Sequence, residues 1–245
     1  MRKIYVALGV LMMVGACAKH DPILPGMRTS IFGDSTPNIL NAEIADLPAT
    51  AVVAAPRDDA KCPYVQDSSN VIRNGDKKIF SGFPTTNSVA TTQYPICSGG
   101  YVIAGLTTGE VVRINPKTRA ISWIADVYKA SNVTGGASVL DIVAPIIATD
   151  NSIYVGGMGD AFCRLNMSNG AKKWCTEISV NAPFVIAGPA AFVIGTDGTL
   201  NAVRTDDGAI YWRADITGCD NISYENKIIT ACRKKIDAAT GKKIK

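Results

Sequence analysis

Histidine is almost missing from this sequence: His20 is the only one. It stands three residues beyond Cys17, outside the strand-rich body of the chain, so no Ser/His or Cys/His catalytic pair can be assembled there. A histidine-bearing zinc site is excluded on the same ground. No two cysteines are adjacent, and aromatic residues make up only 7% of the chain. No apolar run approaches the roughly 20 residues that a membrane-spanning helix needs. No segment of helical length holds a 3.6-residue apolar period. Charge of either sign is scarce as well: the formal net charge of +4 falls to +2 once Arg2 and Lys3 are set aside. A near-neutral chain without a basic stripe gives no electrostatic footprint for nucleic acid.

What is there begins at the N-terminus. Met1-Arg2-Lys3 is a short basic head, residues 4–14 are almost purely apolar, and Val14-Gly15-Ala16-Cys17 closes the stretch with small residues. Its length suits the apolar core of an export signal. The small residues before Cys17 resemble the bacterial lipobox, in which the cysteine thiol is acylated and the chain is cut just before it. Residues 1–16 are therefore expected to be a lipoprotein signal peptide and Cys17 the site of palmitate-type lipidation. Two or three acyl chains, each methylene contributing about 0.8 kcal/mol, anchor stably where one does not. Ala18 rather than Asp follows the cysteine; in such lipoproteins Asp there goes with inner-membrane retention, so an outer-membrane address facing the periplasm is expected.

Cysteine parity points the same way. There are seven cysteines, and assigning Cys17 to lipid leaves six: Cys62, Cys97, Cys163, Cys175, Cys219 and Cys232. An even set suits an oxidising compartment such as the periplasm. Free buried thiols are the alternative.

Residues 17–60 read as the lipidated cysteine and an extended tether, broken by Pro22, Pro25, Pro37, Pro48 and Pro56. From residue 61 to 245 the texture becomes short apolar runs separated by Gly, Asn, Asp and Thr. The organisation of this part is a repeat. Trp123, Trp174 and Trp212 each lie nine residues after an aliphatic: Ile114, Leu165 and Val203. Polar turns separate each pair, Asn115-Pro116-Lys117-Thr118-Arg119, Asn166-Met167-Ser168-Asn169-Gly170 and Arg204-Thr205-Asp206-Asp207-Gly208. Apolar strands ending in Gly precede them, at residues 101–105, 153–157 and 192–195, each followed by a second turn. A fourth copy has Ile228-Ile229-Thr230 as its strand and Ile236-Asp237-Ala238-Ala239-Thr240-Gly241 as its turn, with Lys245 at the tryptophan position. A further strand is expected before each unit, at residues 92–97, 142–147 and 183–187.

Four short strands per unit is the pattern of a β-propeller blade. The fold class expected is therefore all-β, a β-propeller of four clear blades with at most one further degenerate blade. Trp123, Trp174 and Trp212 are expected to be wedges between neighbouring blades, because a lone blade cannot bury both faces. Cys163 and Cys175 flank one hairpin within cross-strand disulfide reach. Cys219 with Cys232 shows a similar spacing, and Cys62 with Cys97 would complete the set. Asp160, Asp197, Asp206 and Asp207 sit in tight turns, where such side chains bond their own backbone.

The strings Ile-Asn-Pro-Lys-Thr before Trp123, Thr-Asp-Asp-Gly-Ala-Ile-Tyr-Trp through Trp212 and Ile-Asp-Ala-Ala-Thr-Gly-Lys from Ile236 resemble the PQQ-type propeller repeat. With a lipobox in front, residues 79–245 resemble the BamB family of lipoproteins that assist outer-membrane β-barrel assembly, in an apparently short form, since that family usually has eight blades. The resemblance implies a non-catalytic scaffold without cofactor. It implies as partners a BamA-like barrel-forming subunit and nascent outer-membrane proteins. It also implies partner contact through inter-blade loops, here residues 87–93 and 135–145, with Leu140 and Asp141 as the candidates. An incomplete ring would invite a homo-oligomer. Two other functions are carried alongside: a quinone-dependent redox enzyme, against which the missing vicinal cysteines argue, and an envelope-binding lipoprotein unrelated to barrel assembly.

Overall fold

The computed structural model describes residues 39–85, 88–89, 94–128 and 139–244; Cys17 and the signal segment lie outside them. Among the described residues there is no helix, and nineteen strands form five antiparallel sheets. The first sheet is β2 (Val65–Gln66), β3 (Val71–Asn74) and β4 (Lys77–Ser81). The second is β5 (Ile96–Ser98), β6 (Tyr101–Gly105), β7 (Glu110–Ile114) and β8 (Ile121–Asp126). The third is β9 (Ile147–Ala148), β10 (Ser152–Gly156), β11 (Phe162–Asn166) and β12 (Lys172–Thr176). The fourth is β13 (Val185–Ala187), β14 (Ala190–Ile194), β15 (Thr199–Arg204) and β16 (Ile210–Asp215), joined on its first-strand edge by β1 (Val52–Val53). The fifth is β17 (Ile222–Glu225), β18 (Ile228–Ala231) and β19 (Lys234–Asp237), with Lys243 bridged to Ile236 where a fourth strand would run.

Each sheet follows the order of the chain, and each packs face to face on the next. One cluster joins Ile72 and Ile79 to Val112 and Ile114; a second joins Ile103 and Val111 to Ile153, Cys163 and Leu165. A third joins Phe162 and Trp174 to Val193 and Val203, and the last joins Phe192, Leu200 and Trp212 to Ile229 and Ile236. The middle strands β10 and β14 are buried at every residue, as continuous apolar runs covered on both faces must be. This is the four-strand blade grammar of a propeller, with β2–β4 as the degenerate fifth unit. Among the described residues no strand pairing joins the first sheet to the fifth.

Two stretches differ from the expectation. Residues 142–147 read as one strand, yet strand pairing begins only at Ile147. Ile142, Val143, Ala144 and Ile146 are buried in a connection instead, and the Ile142 side chain fills the space where Gly105 lacks a Cβ. An apolar run reports burial, and a buried loop gives the same signal as a strand. The starts of β5, β9 and β13 have one cause: Pro95, Pro145 and Pro183 precede them, and a residue without an N–H cannot join the ladder. The second difference concerns residues 39–53, counted above with the tether. Leu40 and Ala42 donate to the carbonyls of Ile210 and Tyr211, Ile44 and Leu47 are buried in the last cluster, and Tyr224 Oη donates to Pro48 O. This segment covers otherwise bare strand edges of the fourth sheet, a role that apolar residues at only a few positions suffice to fix.

The tryptophans lie at sheet junctions. The Trp123 ring sits where a Cβ on Gly170 would be, Trp174 lies against Gly208 and Trp212 against Gly241. Each glycine belongs to the turn of the following sheet and has positive φ, +79° at Gly208. A side chain there would meet both the left-handed backbone penalty and the indole face. Trp123 and Trp174 also donate Nε1–H to the carbonyls of Met167 and Thr205, at 3.2 and 2.8 Å. In the second sheet the corresponding turn position is Arg119, at φ +61°, and no tryptophan approaches it from the first sheet.

The first junction is polar. Asn70 is fully buried; its Nδ2 donates to Phe83 O and Thr107 Oγ1, and its Oδ1 accepts from the Thr107 amide. Gln66 Nε2 donates to Gly105 O at 2.8 Å.

Candidate functional site

Strand pairing sorts the connections into two ends. Because Ile96 pairs with Ile103 and Glu110 with Asp126, the starts of first strands, the turns between second and third strands and the connections between sheets share one end. The glycine turns that receive the tryptophans lie at the other. At the first end the residues just before or at the starts of four first strands converge: Tyr94, Pro95 and Ile96 from the second sheet, Pro145 and Ile146 from the third, Pro183 and Phe184 from the fourth, and Ile222 from the fifth. With the segment from Val53 to Tyr64 they enclose a cleft of about 590 Å³.

The walls are mostly apolar, and the polar groups are few. Arg57 lies with its guanidinium carbon 3.9 Å from the centre of the Tyr94 ring, a cation–π contact. Its Nε donates to Asp59, and that bond raises the pKa of the guanidinium further, so the charge is permanent. Lys61 pairs with Asp58 at 3.2 Å. The Cys62–Cys97 disulfide, with Cα atoms 5.4 Å apart, ties this segment to β5 across the cleft. A rigid apolar concavity with one stacked cation suits recognition of another surface or chain by shape and apolar contact. Among the described residues no group of three or more His, Cys, Asp or Glu side chains is placed to hold a metal ion.

Cys163–Cys175 and Cys219–Cys232 are disulfide-bonded, the first across paired strands β11 and β12. Asp197 and Asp207 accept from backbone amides two residues on, and Asp207 also pairs with Arg204, so both serve turns; Asp160 instead accepts from Ser179 Oγ, 19 residues on. Asp141, named with Leu140 for partner contact, lies inside the fold. It is 2% exposed, and its Oδ2 accepts from the Val89 amide. Burial raises its pKa against the opposing effect of that amide, and Oδ1 has no hydrogen-bond partner. The side chain thus fastens the neighbouring connection from inside. Leu140 is half-buried against Gly109 and Gly159. Of the two loops, residues 87, 90–93 and 135–138 lie outside the described residues.

Sequence reasoning passed over the cleft. The prolines before β5, β9 and β13 were its readable trace, but which connections share a centre depends on how the sheets stack.

Comparison with known proteins bears on this architecture. The model of the family described as "Outer membrane protein assembly factor BamB" matches residues 78–214. A curated outer membrane protein assembly factor BamB from Kangiella koreensis is 21% identical over 141 residues, covering 54% of this chain and 36% of the relative. This chain thus spans about a third of that relative's length. Among solved structures, BamB from Moraxella catarrhalis superposes with a TM-score of 0.50 at 16% identity, covering 82% of this chain and 67% of that one. The quinohemoprotein alcohol dehydrogenase ADHIIG from Pseudomonas putida HK5 gives 0.52 at 12% identity, covering 74% and 40%. At such identities both likenesses establish the propeller-type fold alone.

Proposed function

We propose, from the premise that this chain belongs to the family of the outer membrane protein assembly factor BamB, that it is a non-catalytic scaffold in outer-membrane β-barrel assembly. In this reading acylated Cys17 holds it at the outer membrane facing the periplasm. The end of the stack that carries the inter-sheet connections docks on a BamA-like barrel-forming subunit and its nascent clients. The observation that carries the reading is the cleft at that end, where apolar residues from four sheets and the Arg57–Tyr94 pair meet in one concavity. Aromatic and arginine side chains at the centre of a concave patch are the usual carriers of binding energy.

The quinone-dependent alternative has the ADHIIG likeness behind it, but that likeness extends to the fold only. All six cysteines described are engaged in pairs at least 12 residues apart, so no vicinal pair exists for such chemistry.

Affinity capture of the full-length protein from envelopes, compared with Arg57→Glu and Tyr94→Ala, tests the proposal. The barrel-forming subunit should be recovered with the wild type and fall by about tenfold with either variant, as loss of about 1.4 kcal/mol implies. Lys117→Glu, in a turn at the opposite end, should leave recovery unchanged. Recovery of a different envelope partner in place of that subunit would overturn the proposal. Labelled palmitate that incorporates equally into Cys17→Ser would remove the anchor from it.

A further inference from the structure

Among the described residues, the outer edge strands carry lysine or arginine, β8 excepted. β12 carries Lys172 and Lys173, β4 carries Lys77 and Lys78, and β19 carries Lys234 and Lys235. β16 carries Arg213, and residues 39–42 cover its start. Charged residues and covering segments of this kind are how edges avoid pairing with other chains. β8 has no lysine or arginine: its sequence is Ile-Ser-Trp-Ile-Ala-Asp, its one charge, Asp126, stands at the very end, and among the described residues no strand pairs with its outer side.

Its two exposed isoleucines lie on one face. Ile121 pairs across with Ile114 and Ile124 with Val112, the register shift between them absorbing Ser122. Val112 and Ile114 are covered by Ile72 and Ile79 of the first sheet. Among the described residues that sheet has three strands and none of them covers the same face over β8, where Ile121 is 50% and Ile124 48% exposed.

The strand is complementary to itself. When two copies of β8 run antiparallel about a two-fold axis at the Ser122–Trp123 bulge, Ile121 of one falls opposite Ile124 of the other. In the same register Arg119 falls opposite Asp126. Backbone alternation permits it. The Ala120 carbonyl and the Val127 amide turn inward to Asn115 and Gly109, which leaves the Ile124 backbone groups directed outward. We propose that β8 is a homodimerisation edge, closed by antiparallel β8–β8 pairing of two copies with four isoleucines on one face and two Arg119–Asp126 pairs flanking them. A self-complementary patch of this kind gives a closed two-fold dimer and does not propagate.

Sedimentation of the purified full-length protein across about 10 to about 500 µM tests this, a range suited to an interface below the standard size. The wild type should show a concentration-dependent monomer–dimer equilibrium. Ile124→Lys should weaken dimerisation at least tenfold with an unchanged melting temperature, since the side chain is exposed. Arg119→Asp and Asp126→Arg should each weaken it, and the double reversal should restore it. A wild type that stays monomeric throughout, an Ile124→Lys protein that still dimerises, or a double reversal without recovery would overturn the proposal.

Discussion

The junction between the third and fourth sheets and that between the first and second solve one packing problem with different chemistry. At the former, Trp174 spans the gap, lies flat on Gly208 and bonds Thr205 O. At the latter no tryptophan is present, and the buried amides of Asn70 and Gln66 reach across to Thr107 and Gly105. An indole covers a wide apolar area and tolerates small displacements, since its contribution scales with area. An amide cluster covers little, and its value depends on every bond being made. Beyond the amide cluster the face of β8 is open, while its counterpart in the fourth sheet, Ile210, is fully buried in the cluster that holds Trp174 and is bridged by Ile39.

The largest effect is expected where the aromatic junction is tightest. A Cβ at Gly208 would lie 2.7 Å from Thr176 Oγ1 and 2.8 Å from the Trp174 ring, at a φ that disfavours side chains. Gly208→Ala should cost about 4 kcal/mol in denaturant unfolding, overpacking adding to backbone strain. Gly75→Ala, at φ +55° with nothing within 4 Å, should cost only about 1 kcal/mol. Equal costs for the two would show that the indole contact contributes nothing.

The polar junction should fail more by loss than by crowding. Asn70→Ala should cost about 2 kcal/mol, because Phe83 O and the Thr107 groups lose partners at a part-buried junction. Amide exchange should show the β2–β4 amides opening ahead of those in β14, a separation that a uniformly cooperative fold would not give.

The smallest effect concerns Asp141. Its folded pKa is raised by burial, so its contribution to stability is fully present below the ordinary carboxylate range and lost as pH rises through the raised value. Melting temperatures of the wild type relative to Asp141→Asn should therefore fall as pH rises from about 4, the ordinary carboxylate value, through the raised folded value. A difference that is flat with pH would mean the buried carboxyl does not titrate with folding.

Much of this was legible along the chain. The nine-residue step from Ile114, Leu165 and Val203 to three tryptophans, with turns of Asn, Asp and Gly between, reports strands whose period and punctuation are local properties. The degenerate β2–β4 unit was readable only as a weak extra blade, because it has no tryptophan and, among the described residues, three strands. The burial of Asp141 was not readable at all, since a lone Asp in a loop looks the same whether it faces water or an amide 52 residues away.

By itself the sequence determined the all-β class, the repeat and its family, because strand formers, turn residues and their spacing are fixed by nearest-neighbour chemistry. Tertiary structure alone decided where residues 39–53 dock, which prolines share the cleft and which edge is left unguarded. These depend on surfaces far apart in the chain meeting, and a hydrophobic residue records that it is buried without recording against what.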